Sequence, residues 1–155
     1  MVVGKSSIIE NVWKEFYDRV KSQITSVSIT GSTTVTVQNY VSSFPDQLVD
    51  SKSDYPILVI ETPSVNVDSF TSGKDKFTGT INIEIYTNQS ESADKFLSKI
   101  IDSIETYKYT LRGDGLSMVR LESTDTDMVS RPKIKVHMRR ATFTFTSYYT
   151  KTGAY

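Results

Sequence analysis

The sequence predicts an α+β fold: a mainly antiparallel sheet of four or more strands, packed on one face by two helices. Three observations carry this. Apolar residues recur at helical spacing in two separate segments. Between and after them run segments in which apolar and polar residues alternate with period two. The length, 155 residues, suits one hydrophobic core, so residues 1–155 are read as a single domain.

The first helix spans Ser6 to Ile24. Ile8, Val12, Phe16, Val20 and Ile24 recur every four residues, with Ile9, Trp13 and Tyr17 on the same side. Ser7 and Glu10 form an S-x-x-E capping box, each side chain accepting from the other residue's free backbone N–H. Lys14, Asp18, Arg19 and Lys21 make the opposite, solvated face. From Val27 to Val37 the period drops to two and breaks at Gly31-Ser32, which fits a hairpin or one long irregular edge strand. Residues 38–54, with Ser42, Ser43, Pro45, Asp46, Asp50 and Asp54, read as a loop. Loops of that length are uncommon inside compact domains and often serve binding.

Tyr55 to Glu61 is continuously apolar until its last residue, as in a strand covered on both faces. Pro56 suits its first position and Pro63 closes it. Residues 64–76 are polar and read as an extended hairpin tip. Phe77 to Thr87 alternates, with Phe77, Gly79, Ile81, Ile83 and Ile85 on one side and Thr78, Thr80, Asn82, Glu84 and Tyr86 on the other. Ser90 to Tyr107 is the second helix, striped by Ala93, Phe96, Leu97, Ile100, Ile101 and Ile104. Ser90 serves as N-cap, and Glu91 meets the positive end of the helix dipole. Gly113-Asp114-Gly115 is a turn, Leu116 to Glu122 a strand, and Ser123 to Pro132 a polar loop. Lys133 to Tyr149 is strand-like, but its apolar residues change parity, from Ile134, Val136 and Met138 to Ala141, Phe143 and Phe145. A one-residue shift predicts a β-bulge near Arg139-Arg140. Residues 151–155 read as a frayed end.

Composition narrows function. Eighteen basic residues balance eighteen acidic ones, which argues against a nucleic-acid binder dependent on phosphate contacts. The absence of Cys removes disulfides, Cys-based metal sites and thiol nucleophiles. Ser and Thr number 40, which suits either a disordered chain or a sheet with a Thr-rich exposed face; an aromatic content of 11% favours the sheet. The longest apolar run, Ile57 to Ile60, is far short of the ~20 residues of a membrane helix, and Met1 to Lys5 has no signal-peptide core. The expectation is a soluble protein made in the cytoplasm, with no membrane partner.

Little in the chain suggests an active site. His137, the only His, lies between Val136 and Met138 in the polar phase of its strand and has no nucleophile motif to serve. Asp125-x-Asp127 starts like a calcium loop, but Ser130 and Val136 stand where Gly and Glu are needed. Glu61, Asp68, Asp75 and Glu84 bracket neighbouring strands and could supply a glycosidase pair, although such acids more often decorate a solvated sheet face. Arg139-Arg140, with Arg131, Lys133 and Lys135, is the one basic concentration. It reads as a charged strand face, or as one half of a repeated subunit contact with Asp125, Asp127 or Asp68 of a neighbour. No metal or cofactor is expected.

The order of segments resembles a known family. A starting helix, Tyr55-Pro-Ile-Leu-Val-Ile60, a polar hairpin, Gly79-Thr-Ile-Asn-Ile-Glu-Ile-Tyr86, a helix, and a last strand ending Arg139-Arg-Ala-Thr-Phe-Thr-Phe-Thr-Ser-Tyr-Tyr149 are similar to the tail terminator proteins of long-tailed bacteriophages. The likeness spans nearly the whole chain as a pattern of elements; the loop 38–54 and the Ser/Thr richness are not part of it. The resemblance implies a non-enzymatic virion protein at the head-proximal end of the tail. It implies a ring, usually of six copies, that caps the tail tube and meets the head-completion, or neck, proteins. On that reading Asp68, Lys74, Asp75, Lys76, Asp125, Asp127 and Arg131 are candidate tube or neck contacts, and Val35, Val37, Tyr40, Arg139 and Arg140 candidate subunit contacts. Two alternatives stand beside it: a monomeric α+β adaptor or assembly chaperone, and a small hydrolase using Glu61 and Glu84.

Overall fold

Two helices cover one face of the sheet, each held by its apolar stripe. The computed structural model describes residues 8–31, 33–43, 52–71, 73–113, 115–130 and 134–150. Helix α1 is Ile8–Gln23, with Val12, Phe16 and Val20 fully buried along one side; the capping residue Ser7 lies outside the described residues. Helix α2 is Ser90–Gly113, longer than the predicted end at Tyr107. Exposed Tyr109 and Thr110 interrupt the apolar pattern, but Leu111 is fully buried and carries the Phe96–Ile100–Ile104 stripe into a last turn. The helix then stops in a Schellman arrangement: Leu116 N–H donates to the Leu111 carbonyl at 2.9 Å and Gly115 N–H to that of Arg112 at 3.1 Å. Gly115 sits at φ 104°, where a side chain would be strained.

Strands β1 (Ser26–Ile29) and β2 (Thr33–Thr36) form a separate antiparallel hairpin turning at Gly31, φ 89°. This selects the hairpin over the single edge strand. Strand β1 is tied to α2 by Lys95 Nζ on the Ser28 carbonyl (2.6 Å) and Lys99 Nζ on that of Ser26 (2.8 Å).

The main sheet runs β3-β4-β6-β8-β7, with β5 also on β6. Its strands are β3 (Asn39–Val41), β4 (Ile57–Ile60), β5 (Ser64–Thr71), β6 (Lys74–Thr87), β7 (Ser117–Ser130) and β8 (Lys135–Thr150). Only β3–β4 is parallel. Strands β4 and β5 lie end to end along the same side of β6, β4 opposite Ile83–Tyr86 and β5 opposite Lys74–Thr80. Strand β4 is buried on both faces, as predicted.

Four expectations are corrected. Strand β3 and a 3-10 turn, Lys52–Asp54, fall inside the predicted loop 38–54; Gln38 N–H donates to the Pro56 carbonyl and aligns the chain beside β4. The polar tip 64–76 is strand: β5 and the start of β6 pair nearly to their connection. The polar loop 123–132 is strand as far as Ser130. Finally, β8 has no bulge at Arg139-Arg140, since its register with β6 is unbroken from Lys74↔Thr150 to Thr87↔His137. The irregularities lie in β7 instead, between Ser117 and Arg120 and between Leu121 and Ser123, with Met118 at φ 53°.

The parity change in β8 has a different cause. Ala141, Phe143 and Phe145 join the core under the helices, with Leu58, Ile60, Ile81, Ile83 and Ile85. Ile134 and Val136 belong to a second apolar cluster with Tyr55, Ile57 and Val59. Even and odd residues of one strand point to opposite faces, so this second cluster lies on the side away from the helices.

Candidate interaction surface

The charged residues singled out in the sequence fall into two groups, those already engaged within the chain and those free on a strand edge. Arg139 Nε donates to Asp94 Oδ1 at 2.7 Å, and its Nη1 to the Met138 carbonyl. Arg140 Nη2 lies 3.4 Å from Glu84 Oε2, a carboxylate that also accepts from the Tyr86 hydroxyl at 2.6 Å. The counter-charges of Arg139 and Arg140 are therefore internal, and neither pairs with Asp125, Asp127 or Asp68. Val37 is buried at 7% exposure, and Val35 and Tyr40 pack against the same core. The Tyr40 hydroxyl donates to the Ile24 carbonyl, and burial, with a smaller contribution from Tyr17, raises its pKa. The side chains of Val35, Val37 and Tyr40 thus pack on the core, although β3 is an end strand of the main sheet; Val37 in particular is buried and not available to a neighbouring copy.

The carboxylates of the hydrolase reading are also spoken for. Glu61 Oε2 accepts from Asn82 Nδ2 at 3.0 Å, and Asn82 Oδ1 in turn accepts from the Thr142 hydroxyl at 2.7 Å. Glu61 and Glu84 share the sheet face away from the helices, but each is bound into its own hydrogen-bond set. His137 is half-buried rather than exposed, with Thr87 and Met128 opposite it in the register. Among the described residues no group of three or more His, Asp or Glu is placed to hold a metal ion.

At the β5–β6 end, Asp68 stands opposite Lys76 and Thr71 opposite Lys74. Asp68 and Lys74 are exposed, whereas Asp75 is buried and is no tip contact. Asp125 and Asp127 lie on β7 within a run, Glu122 to Met128, that is exposed at every residue. That run is exposed on both faces of the strand, and β7 is the last strand of the sheet. Arg131 lies outside the described residues.

One surface was not anticipated. Where α2 ends and β7 begins, three exposed apolar side chains, Tyr109, Met118 and Tyr148, flank two adjoining hollows of about 440 and 380 Å³ that share Met118. Lys108 and Arg112 line the first and Lys76 and Arg120 the second, and among the described residues no acid lines either. Lys108 lies 5.7 Å from the Tyr109 ring centre and pairs with Glu105 at 3.1 Å. No acid of the described residues pairs with Arg112 or Arg120; Arg120 Nε reaches the Thr144 hydroxyl at 3.4 Å. The one local signal was the interleaving of Tyr107-Lys108-Tyr109 with Arg112; the other members come from three different strands.

No helix among the described residues is long and apolar enough to cross a membrane. The chain matches no model of a known protein family and no curated protein sequence.

Proposed function

We propose that the chain is a structural virion protein of a long-tailed phage, a tail terminator that caps the tail tube as a ring. Its outer surfaces then form the tail-side interface to the head-completion proteins, and no catalysis is involved. The observation that carries this reading is the sheet's open sides. Among the described residues β7 and β3 end the sheet, β5 pairs with β6 alone, and seven consecutive residues of β7 are exposed. Unpaired strand edges are templates for a further chain, and a protein that keeps them long and uncovered has a use for them. The engagement of Glu61, Glu84, Arg139 and Arg140 in internal bonds supports a role through contact rather than turnover.

On this reading Asp68, Lys74 and Lys76 at the β5–β6 end, and Asp125 and Asp127 on β7, are the charged groups offered to tube, neck or neighbour. The test is negative-stain microscopy of the protein mixed with polymerised tube protein of the same phage. Rings seated on tube ends are expected. A strict monomer that never associates with tube would overturn the reading in favour of the adaptor or chaperone alternative.

A further inference from the structure

The chain carries two patches of opposite chemistry at different points along β7. The first is the run Glu122–Met128, with acids at 122, 125 and 127, no Lys or Arg, and exposed Met128 as an apolar end. The second is the hollow pair around Met118, Tyr109 and Tyr148, lined by Lys76, Lys108, Arg112 and Arg120 and, among the described residues, by no acid. Both touch β7, yet the strand is held extended by its pairing with β8 from Ser117↔Thr146 to Ser130↔Lys135. At ~3.3 Å per residue, Asp127 lies about 20 Å along the strand from Arg120 and cannot fold back into its own groove, whereas Glu122 stands only two residues from Arg120. Asp125 does have a cation opposite it, Arg140, but that guanidinium is directed to Glu84.

Resting on the ring reading above, we infer that the acidic half of β7 of one copy docks in the Met118 groove of the next copy. Asp125 and Asp127 then meet Arg112 and Arg120, and Met128 covers the apolar floor. Lys76 and Lys108 add positive potential at the rim, weakened by Asp68 across the β5–β6 hairpin and by Glu105. Donor and acceptor patches differ, so the contact is head to tail, and its repetition closes a ring or runs into a filament. The groove keeps Met118 at a positive φ and open to solvent, as a site awaiting a partner would.

Two charge reversals test this, Arg112→Glu/Arg120→Glu in the groove and Asp125→Lys/Asp127→Lys on the strand. All four residues are exposed, so both variants should melt as the wild type does, which circular dichroism checks. Assembly is followed by light scattering against concentration, with and without polymerised tube. Each reversal alone should raise the concentration for half-assembly at least about tenfold, since attraction is replaced by repulsion at a partly desolvated contact. An equimolar mixture of the two variants should recover wild-type assembly, because each supplies what the other lacks. Wild-type rings that tolerate both reversals, or a mixture that does not recover, would overturn the contact and leave the ring reading standing. Assembly that stops at two copies would replace it by a two-fold contact. A wild type that stays monomeric even with tube would overturn both. If the groove reversal instead abolishes binding of a thymidine 12-mer while assembly is unchanged, the groove is a polyanion site and the inference fails.

Discussion

Gly79 offers the sharpest test of the packing. A Cβ at this position would lie 2.3 Å from the Ser64 carbonyl oxygen and 2.7 Å from Phe145 Cζ. The first contact is backbone, at the point where β5 begins beside β6, and cannot be relieved by a rotamer change. The second is a fully buried ring packed on Phe16, with centroids 6.4 Å apart. Overpacking of a filled core costs about 1–3 kcal/mol. Against it stands the ~0.4–1 kcal/mol that Gly→Ala returns by restricting the unfolded chain. The clash wins, and Gly79→Ala should destabilise by about 1–2 kcal/mol. With a urea slope near 2 kcal/mol per molar, the midpoint should fall by about 0.5–1 M at unchanged slope. Gly113→Ala is the control: nothing lies within 4 Å of its Cβ and the residue is helical, so it should be neutral or stabilising by up to about 1 kcal/mol. A Gly79→Ala protein as stable as the wild type would refute the close approach of β5 and with it the register of the outer strand.

Three further outcomes are expected. Arg140→Ala leaves the Glu84 carboxylate, 2% exposed, with only the Tyr86 hydroxyl, and should cost about 2 kcal/mol in urea unfolding; the double change Glu84→Gln/Arg140→Met should recover most of it. Val37→Ala should lower monomer stability by about 1.5–2.5 kcal/mol while leaving assembly unchanged at equal folded fraction, because Val37 faces the core rather than a neighbour. The Thr30 hydroxyl (2.8 Å) and then its amide (2.9 Å) hold the Glu91 carboxyl below its usual range, with help from Lys95. The fold therefore binds fewer protons there than the unfolded chain. The stability this tie contributes is present at neutral pH and is lost as pH falls from the ordinary carboxylate pKa, about 4.3, through the lowered value. An NMR titration should find the Glu91 midpoint moved upward in Thr30→Val; an unmoved midpoint would refute the tie between the hairpin and α2.

What was legible in the sequence followed from burial. Helix α1 and the alternation of β6 were read because their apolar residues face a core with a definite period, and β4 because burial on both faces makes it continuously apolar. Strand β5 and the outer half of β7 escaped because solvent reaches both sides over much of their length: Val67 is 57% exposed and Glu122 to Met128 are exposed at every residue, leaving β-branched Thr124 and Thr126 as the only trace in that run. Strand β3 is too short to show a period, and its partner β4 lies beyond residues 44–51 in the chain. For the surface, Asp125 and Asp127 were legible as solvated acids. The groove was not, because Met118, Arg112, Tyr148 and Lys76 converge from four elements and share no sequence pattern.

Strand β8 contributes to both apolar clusters. A change of apolar parity along a strand can mean an inserted residue or a change in which face is covered, and the unbroken pairing with β6 decides for the second. Arg139 and Arg140 stand at that crossover, after the last residue of one cluster and before the first of the main core. Being adjacent, they point to opposite faces, and each meets one counter-charge there: Arg139 meets Asp94 of α2, Arg140 meets Glu84 of β6. The two arginines of the crossover are thus engaged in holding helix and sheet to one strand. Removing Arg139 should loosen the first turns of α2 and leave the far face intact, and removing Arg140 should do the reverse, which amide exchange at Ala93 and at Glu84 would separate. Among the described residues, the basic set at the end of α2 and the start of β7 keeps positive charge for contact with another chain, opposite in sign to the exposed run Glu122–Met128.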